Sequence, residues 1–304
     1  MRMHGGARRA WLHPALPPAF SSNFVTKLWL DPWLYWDRPL APRCAASVLW
    51  DRSLLVIRTT FPHSAGMDLA ANLKAIQNRI EAACARTERN PASVTLLPVS
   101  KSQSPDAVRA VAELGLNLFG ESKVQEAKVK IPLCPGHLRW HMIGHLQTNK
   151  SRDAVHFFEM IQSVDSLELA EEINQRAGQA AKRMPILLEV NIAGEASKFG
   201  YPPDRLLKEL EQINALKRIE IQGLMTIAPW TPEPERVRPI FRQLRELKER
   251  GEQFLGAPLP HLSMGMSSDF GVAIEEGATL VRIGTALFGP RSQSKKTKSS
   301  EDTA

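Results

Sequence analysis

Apolar positions recur at helical spacing through Leu69, Leu73, Ile76, Ile80 and Ala83, and predict an amphipathic helix of about five turns. Beyond it the period changes. Short apolar runs occur in "SVTLLPVSK" (93–101), "LNLFGES" (116–122), "LRWHMIG" (138–144), "EMIQSVDS" (159–166), "PILLEVNI" (185–192), "IEIQGLMTI" (219–227), "HLSMGMS" (261–267) and "LVRIGTALFG" (280–289). Each has the length of a buried strand. Helix-compatible stretches separate them: "SPDAVRAVAELG" stopped by Gly115, "KVQEAKVK", the segment after His145, "LELAEEINQRAGQAAK", the series Leu206, Leu207, Leu210, Ile213 and Leu216, residues 234–250, and "DFGVAIEEG". Eight strands alternating with helices over roughly 220 residues suit a closed parallel barrel, because an open doubly wound sheet usually stops at five or six. The expected fold is α/β, a single (β/α)8 TIM-type barrel with an extra N-terminal helix.

In such a barrel the side chains at the carboxyl ends of the strands converge on one mouth. The candidates there are Lys101, Glu121, Ser122, His145, Asp165, Asn191, Thr226, Ser263, Ser267, Arg282 and Thr285. Lys101 stops the first apolar run. A lysine amine attacks a carbonyl carbon only when unprotonated, a condition favoured by partial desolvation at a strand end, but a rim lysine that reaches solvent has the same placement. The last two strands add a second feature. "SMGMSSDFG" supplies a glycine and three hydroxyls before a helix, and "RIGTA" supplies small residues and another hydroxyl. Barrels often hold a phosphate between the loops after strands seven and eight. A strand-one lysine together with a phosphate cradle suggests an aldehyde that carries a phosphate, such as pyridoxal phosphate.

Charge and composition narrow the alternatives. The formal charge is +7, but residues 1–66 carry eight basic against three acidic side chains, and 289–304 carry four against two, so the interior is neutral. No basic patch interleaved with aromatics occurs in that interior, and a nucleic-acid partner is not expected. Cys44, Cys84 and Cys134 form no CxxC pair, which fits a reducing compartment. No stretch reaches the roughly 18 apolar residues of a spanning helix, so a soluble protein with no membrane partner is expected.

Five of the seven tryptophans fall in residues 1–66, among prolines and without periodicity. That segment is read as an N-terminal extension with no fold of its own, the natural start lying at Met67, and the rival reading is a targeting extension. The barrel is expected over 67–291 and a flexible polar tail over 292–304. His137, His141 and His145 would line one face of a helix as a metal site; on a strand four residues span about 13 Å, too far for ligands of one ion. Neither GxSxG nor GxGxxG occurs.

The motifs "LLPVSK", "FGES.VQEA", "WHMIGHLQTNK", "IQSVDS", "LLEVNIAGEASKFG", "GLMTIAP", "LSMGMSSD" and "VRIGTALFG", in order over 67–291, resemble the pyridoxal phosphate homeostasis protein family, whose fold resembles the amino-terminal barrel of alanine racemase. The resemblance implies that Lys101 carries pyridoxal phosphate (PLP) as an internal aldimine and that Ser263, Gly284 and Thr285 hold its phosphate. It also implies that Arg282 lies near the cofactor, towards its ring nitrogen or its phosphate, with Met225, Gly265 and Ser122 in the same site. Ser122 is a departure, since the family typically has asparagine in its "GEN" motif. The implied role is PLP binding for intracellular homeostasis by a cytoplasmic monomer, with PLP-dependent apo-enzymes as partners and no robust catalysis.

An arginine at the ring nitrogen supports that role on chemical grounds. It cannot accept the pyridinium proton, so the ring is a poorer electron sink. The alternative is a PLP-dependent amino-acid racemase, which needs acid/base groups on both faces of the substrate. Alanine racemase takes its second group, a tyrosine, with support from an additional domain. This chain has only Tyr35 and Tyr201, and Tyr201 alone lies within the expected barrel.

Overall fold

The computed structural model describes residues 68–290. The expectations for residues 1–66, for a start at Met67 and for the tail 292–304 lie outside the described residues. Eight parallel strands form one sheet: β1 Thr95–Pro98, β2 Leu118–Glu121, β3 Arg139–Met142, β4 Met160–Val164, β5 Met184–Glu189, β6 Ile219–Met225, β7 His261–Ser263 and β8 Leu280–Ile283. Their order is β1-β8-β7-β6-β5-β4-β3-β2. A bridge between Val99 and Gly120 and the Ser100 N–H donated to Gly120 O at 3.0 Å join β1 to β2 and close the ring. The barrel expected from the strand count is therefore the barrel observed.

Helices α1 Leu69–Ala85, α2 Pro105–Glu113, α3 Val124–Lys130, α4 Ser151–Phe157, α5 Leu167–Gln179, α6 Pro203–Asn214, α7 Arg238–Leu255, α8 Phe270–Glu275 and α9 Thr285–Phe288 surround it. Strand parity separates two layers of core. Ile186 and Leu188 of β5 face the helices within the main cluster, whereas Leu187 of the same strand joins Met160, Met225 and Leu280 inside the barrel. A second inner cluster holds Leu97, Leu118 and Ile143. Each fully buried aliphatic side chain contributes about 1.5–3 kcal/mol.

The eighth apolar run is shorter as a strand than its sequence predicts. Residues 285–288 turn into the one-turn α9, too short to cover the barrel. The extra helix α1 covers that side: Leu73, Ile76, Ile80 and Ala83 are buried, Asn72 Nδ2 donates to Leu287 O at 2.9 Å, and Arg89 Nη2 donates to Ala278 O at 2.9 Å. Asp68 caps its start by accepting from the Ala71 N–H at 2.9 Å. On β6 the register shifts at Gly223, where φ is +152° and a Cβ would fall 1.9 Å from His261 O, so only glycine fits.

Candidate functional site

Pairing of strand ends brings Lys101, Met225, Ser263, Gly265, Arg282, Gly284 and Thr285 along one arc, while His145 and Asp165 lie on the opposite rim. Pro98 pairs with Ile283, and Val99 N–H donates to Ile283 O at 2.8 Å, which sets the Lys101 turn beside Gly284 and Thr285. Arg282 N–H donates to Gly265 O, and Met225 pairs with Ser263, carrying the arc across β7 to β6. Ser122 follows β2 on the other side of β1. The residues fall at two depths. Ser263, Gly265, Met225 and Arg282 are buried, Lys101, Ser122 and Gly284 are half-buried, and Thr285 is exposed.

The deep layer is a hydrogen-bonded chain across the barrel interior. Arg282 Nη2 donates to Thr226 O at 2.8 Å and Nη1 to Ser263 Oγ at 2.7 Å. Ser263 Oγ donates to Gln162 Oε1 at 2.6 Å, and Gln162 Nε2 meets His141 Nδ1 at 2.8 Å. Burial lowers the His141 imidazole to about 4, so at neutral pH it is uncharged and one of its ring nitrogens is an acceptor. Burial also lowers Arg282 to about 10, opposed by the Glu189 and Asp269 carboxylates, and the guanidinium stays charged at neutral pH. Ser263 Oγ thus bridges Arg282 and Gln162 and steadies the guanidinium. Met225 lies in the inner apolar cluster beneath.

Behind Lys101 stands a buried ionic cluster. Glu121 is fully buried and accepts from Ser100 Oγ at 2.7 Å and from Lys130 Nζ. Burial pushes the Glu121 carboxyl up, and its hydrogen bonds from Lys130 and Ser100 oppose that. Lys130 is itself 4% exposed.

The upper rim is made by the β7 and β8 turns. At Gly265 φ is +90°, and a Cβ would lie 2.6 Å from Ala273 Cβ and 2.9 Å from Phe270 Cα, so the turn packs directly on α8. Met266 N–H donates to Asp269 Oδ1 at 2.6 Å, and Ala286 N–H donates to Ser267 Oγ at 3.2 Å, tying the two turns together. Above Gly284 there is room: a Cβ there would meet only Val99, at 3.8 Å and 3.9 Å. An open glycine turn with an adjacent exposed hydroxyl, a half-buried lysine one strand away and a buried arginine below is a donor set that fits an anionic aldehyde.

The opposite rim is acidic and aromatic. His145 stacks on Phe199 with ring centroids 3.6 Å apart and meets Asp165 Oδ2 at 3.1 Å. His141 and His145 thus take separate partners, as strand geometry requires. Ser122, Lys123, Gln125, His145 and Lys150 line a cavity of about 250 Å³ between the β2 and β3 ends. Glu189, 4% exposed at the end of β5, is raised to about 7 by burial, with Asp165 adding and Arg282 opposing. Tyr201 does not face the mouth. It lies in the outer core with Leu206 and Leu210, beneath the Arg205 guanidinium, and burial pushes its phenol well above the usual range.

Gln162, Glu189, Lys130 and Glu126 were not among the residues expected from the sequence. For the first two a signal exists. Gln162 shares strand parity with inward Met160, and Glu189 with inward Leu187, and a polar residue on the inner face of a barrel strand needs a partner.

The fold is that of the alanine racemase class of barrels. The family model described as alanine racemase, N-terminal domain, matches residues 71–292. Alanine racemase of Clostridium difficile 630 shares the fold at a TM-score of 0.57 and 18% identity, covering 74% of this chain and 57% of that one. The chain belongs to the pyridoxal phosphate homeostasis protein family. The family member of Aquifex aeolicus is 43% identical over 226 residues, 74% of this chain and 99% of the relative. That of Pseudomonas aeruginosa is 41% identical over 224 residues, 73% and 96% of the two chains. PipY of Synechococcus elongatus, solved with PLP bound, is 37% identical with a TM-score of 0.65, covering 73% of this chain and all of that one.

Proposed function

We propose that this chain binds PLP at the mouth of the barrel, through Lys101, and serves PLP homeostasis in the cytoplasm by buffering or delivering the cofactor rather than by catalysis. The observation that carries the reading is the juxtaposition of half-buried Lys101 on β1 with the open Gly284–Thr285 turn on neighbouring β8, above the charged Arg282. When bound, PLP supplies an aldehyde carbon open to an amine and a phosphate dianion open to hydrogen-bond donors. Lys101 provides the amine. Thr285 and the backbone of its turn provide donors, while Gly265 keeps the β7 turn flat against α8. Arg282 stays a cation that donates protons and accepts none, which disfavours a protonated ring and with it carbanion chemistry. PLP-dependent apo-enzymes are the recipients this reading implies, and the chain acts as a monomer.

Loss of the Thr285 hydroxyl tests the phosphate end. A hydrogen bond to a charged group is worth about 1.5–3 kcal/mol, so Thr285→Ala should weaken PLP about tenfold or more in equilibrium dialysis. Unchanged affinity would put the phosphate elsewhere.

A racemase, the second reading, needs an acid/base group on each face of the substrate. Tyr201, buried in the outer core with a raised pKa, is unsuited to that task. Incubating the PLP-loaded protein with L-alanine in deuterated water should therefore give only slow deuterium uptake at Cα. Uptake or D-isomer formation at enzymatic rates would make it an enzyme.

A further inference from the structure

The two peptide groups that flank Lys101 are both held by one buried cluster. Ser100 O accepts from Gln103 N–H at 2.9 Å, closing a β-turn with Lys101 at its second position and Ser102 at its third. Ser102 has φ +62°, a left-handed conformation that costs a non-glycine residue of order 1 kcal/mol or more. Something must hold it there. Lys130 Nζ donates to that same Ser100 O at 2.6 Å, to Glu121 Oε1, and to Glu126 Oε1 at 2.7 Å, using all three of its protons. Glu126 Oε1 in turn accepts the Ser102 N–H at 2.6 Å. The carbonyl before Lys101 and the N–H after it are thus fixed to one buried ammonium and its carboxylate.

We propose that Lys130, with Glu126, is a positioning element for Lys101: it locks the strained turn so that the Lys101 amine is presented to the ligand's aldehyde carbon. Nothing in the cluster is free to touch the ligand's phosphate, which the proposed site receives on the β8 turn. The inference rests on the reading of Lys101 as the amine that bonds PLP, a step in which the unprotonated amine adds to the carbonyl and water leaves. A merely structural ion pair would affect all ligands alike. A positioning role predicts a loss confined to ligands that react with the amine.

Pyridoxamine phosphate separates the two, since it keeps the ring and phosphate but carries an amine in place of the aldehyde. In Lys130→Met, PLP affinity and the borohydride-trapped fraction at Lys101 should fall about tenfold or more, matching release of the strained turn. Pyridoxamine phosphate affinity should stay within about twofold, as for independent sites. Glu126→Ala, at a side chain 25% exposed, removes the Ser102 acceptor without opening the core and should shift the same ratio in the same direction; it carries the test if Lys130→Met does not fold. Equal losses for both ligands, or an unchanged ratio in Glu126→Ala, overturn the clamp while trapping at Lys101 in the parent protein persists. Failure to trap Lys101 in the parent protein overturns the reading of Lys101 and the clamp together.

Discussion

Replacing Lys101 with alanine is expected to abolish the visible absorbance of the PLP-loaded protein and to remove the pyridoxyl-labelled peptide obtained after borohydride reduction. The effect should be complete because, among the described residues, no other amine shares its position. Lys101 follows β1 in phase with inward Leu97 and Val99, next to the β8 turn. Lys130 is nearby but has every proton engaged. Lys123 and Lys150 line the cavity between the β2 and β3 ends, on the far side of β2 from the β8 turn. Weak binding should remain, since the Thr285 turn and Arg282 are untouched by the change, and spectral titration against dialysis separates the lost covalent bond from the retained contacts. Full labelling in Lys101→Ala, at Lys123, Lys150 or any other lysine, would refute the assignment.

Stability of the ligand-free protein should depend on pH through Glu189. Burial raises its carboxyl from the ordinary 4.5 to about 7, so between those values the folded state keeps a proton that the unfolded chain has released. Folding stability therefore falls as pH rises through that window, by about 3 kcal/mol in all, and does not recover above it. Glu189→Gln imitates the protonated form and lacks the penalty. Urea unfolding of the two proteins should give similar stabilities near pH 4.5 and a variant more stable by about 3 kcal/mol at pH 8. His141 acts with the opposite sign, losing stability as pH falls from 6.5 towards 4, but it is common to both proteins and cancels in the difference. A difference that does not change with pH would show that Glu189 is not the group responsible.

The deep chain and the rim divide the work of the mouth between charge and access. Arg282 reaches Thr226 O and Ser263 Oγ from β8, and the serine is braced through Gln162 to a histidine that stays neutral. A cation held by fixed acceptors needs little rearrangement when an anionic ligand arrives above it. The rim keeps its donors near solvent, which suits the proposed buffering or delivery of the cofactor.

The sequence by itself determined the barrel and its strand count, because βα alternation and strand parity are local patterns. It misjudged the ends of strands. "HLSMGMS" and "LVRIGTALFG" look continuous, yet β7 stops at Ser263 before the Gly265 turn, and β8 yields to α9 after Ile283. Only the tertiary structure decided which polar groups meet. Gln162 and Ser263 are 101 residues apart and touch because β4 and β7 both face the interior. Lys130 ends an amphipathic helix and reads as a surface residue that snorkels to solvent. Its partners Glu121 and Ser100 lie nine and thirty residues back, at no helical or strand spacing. Closure of the ring between β1 and β2 lays α3 against the Lys101 turn, and that closure, made by contacts distant in sequence, turns a helix-end lysine into the buried centre of the clamp.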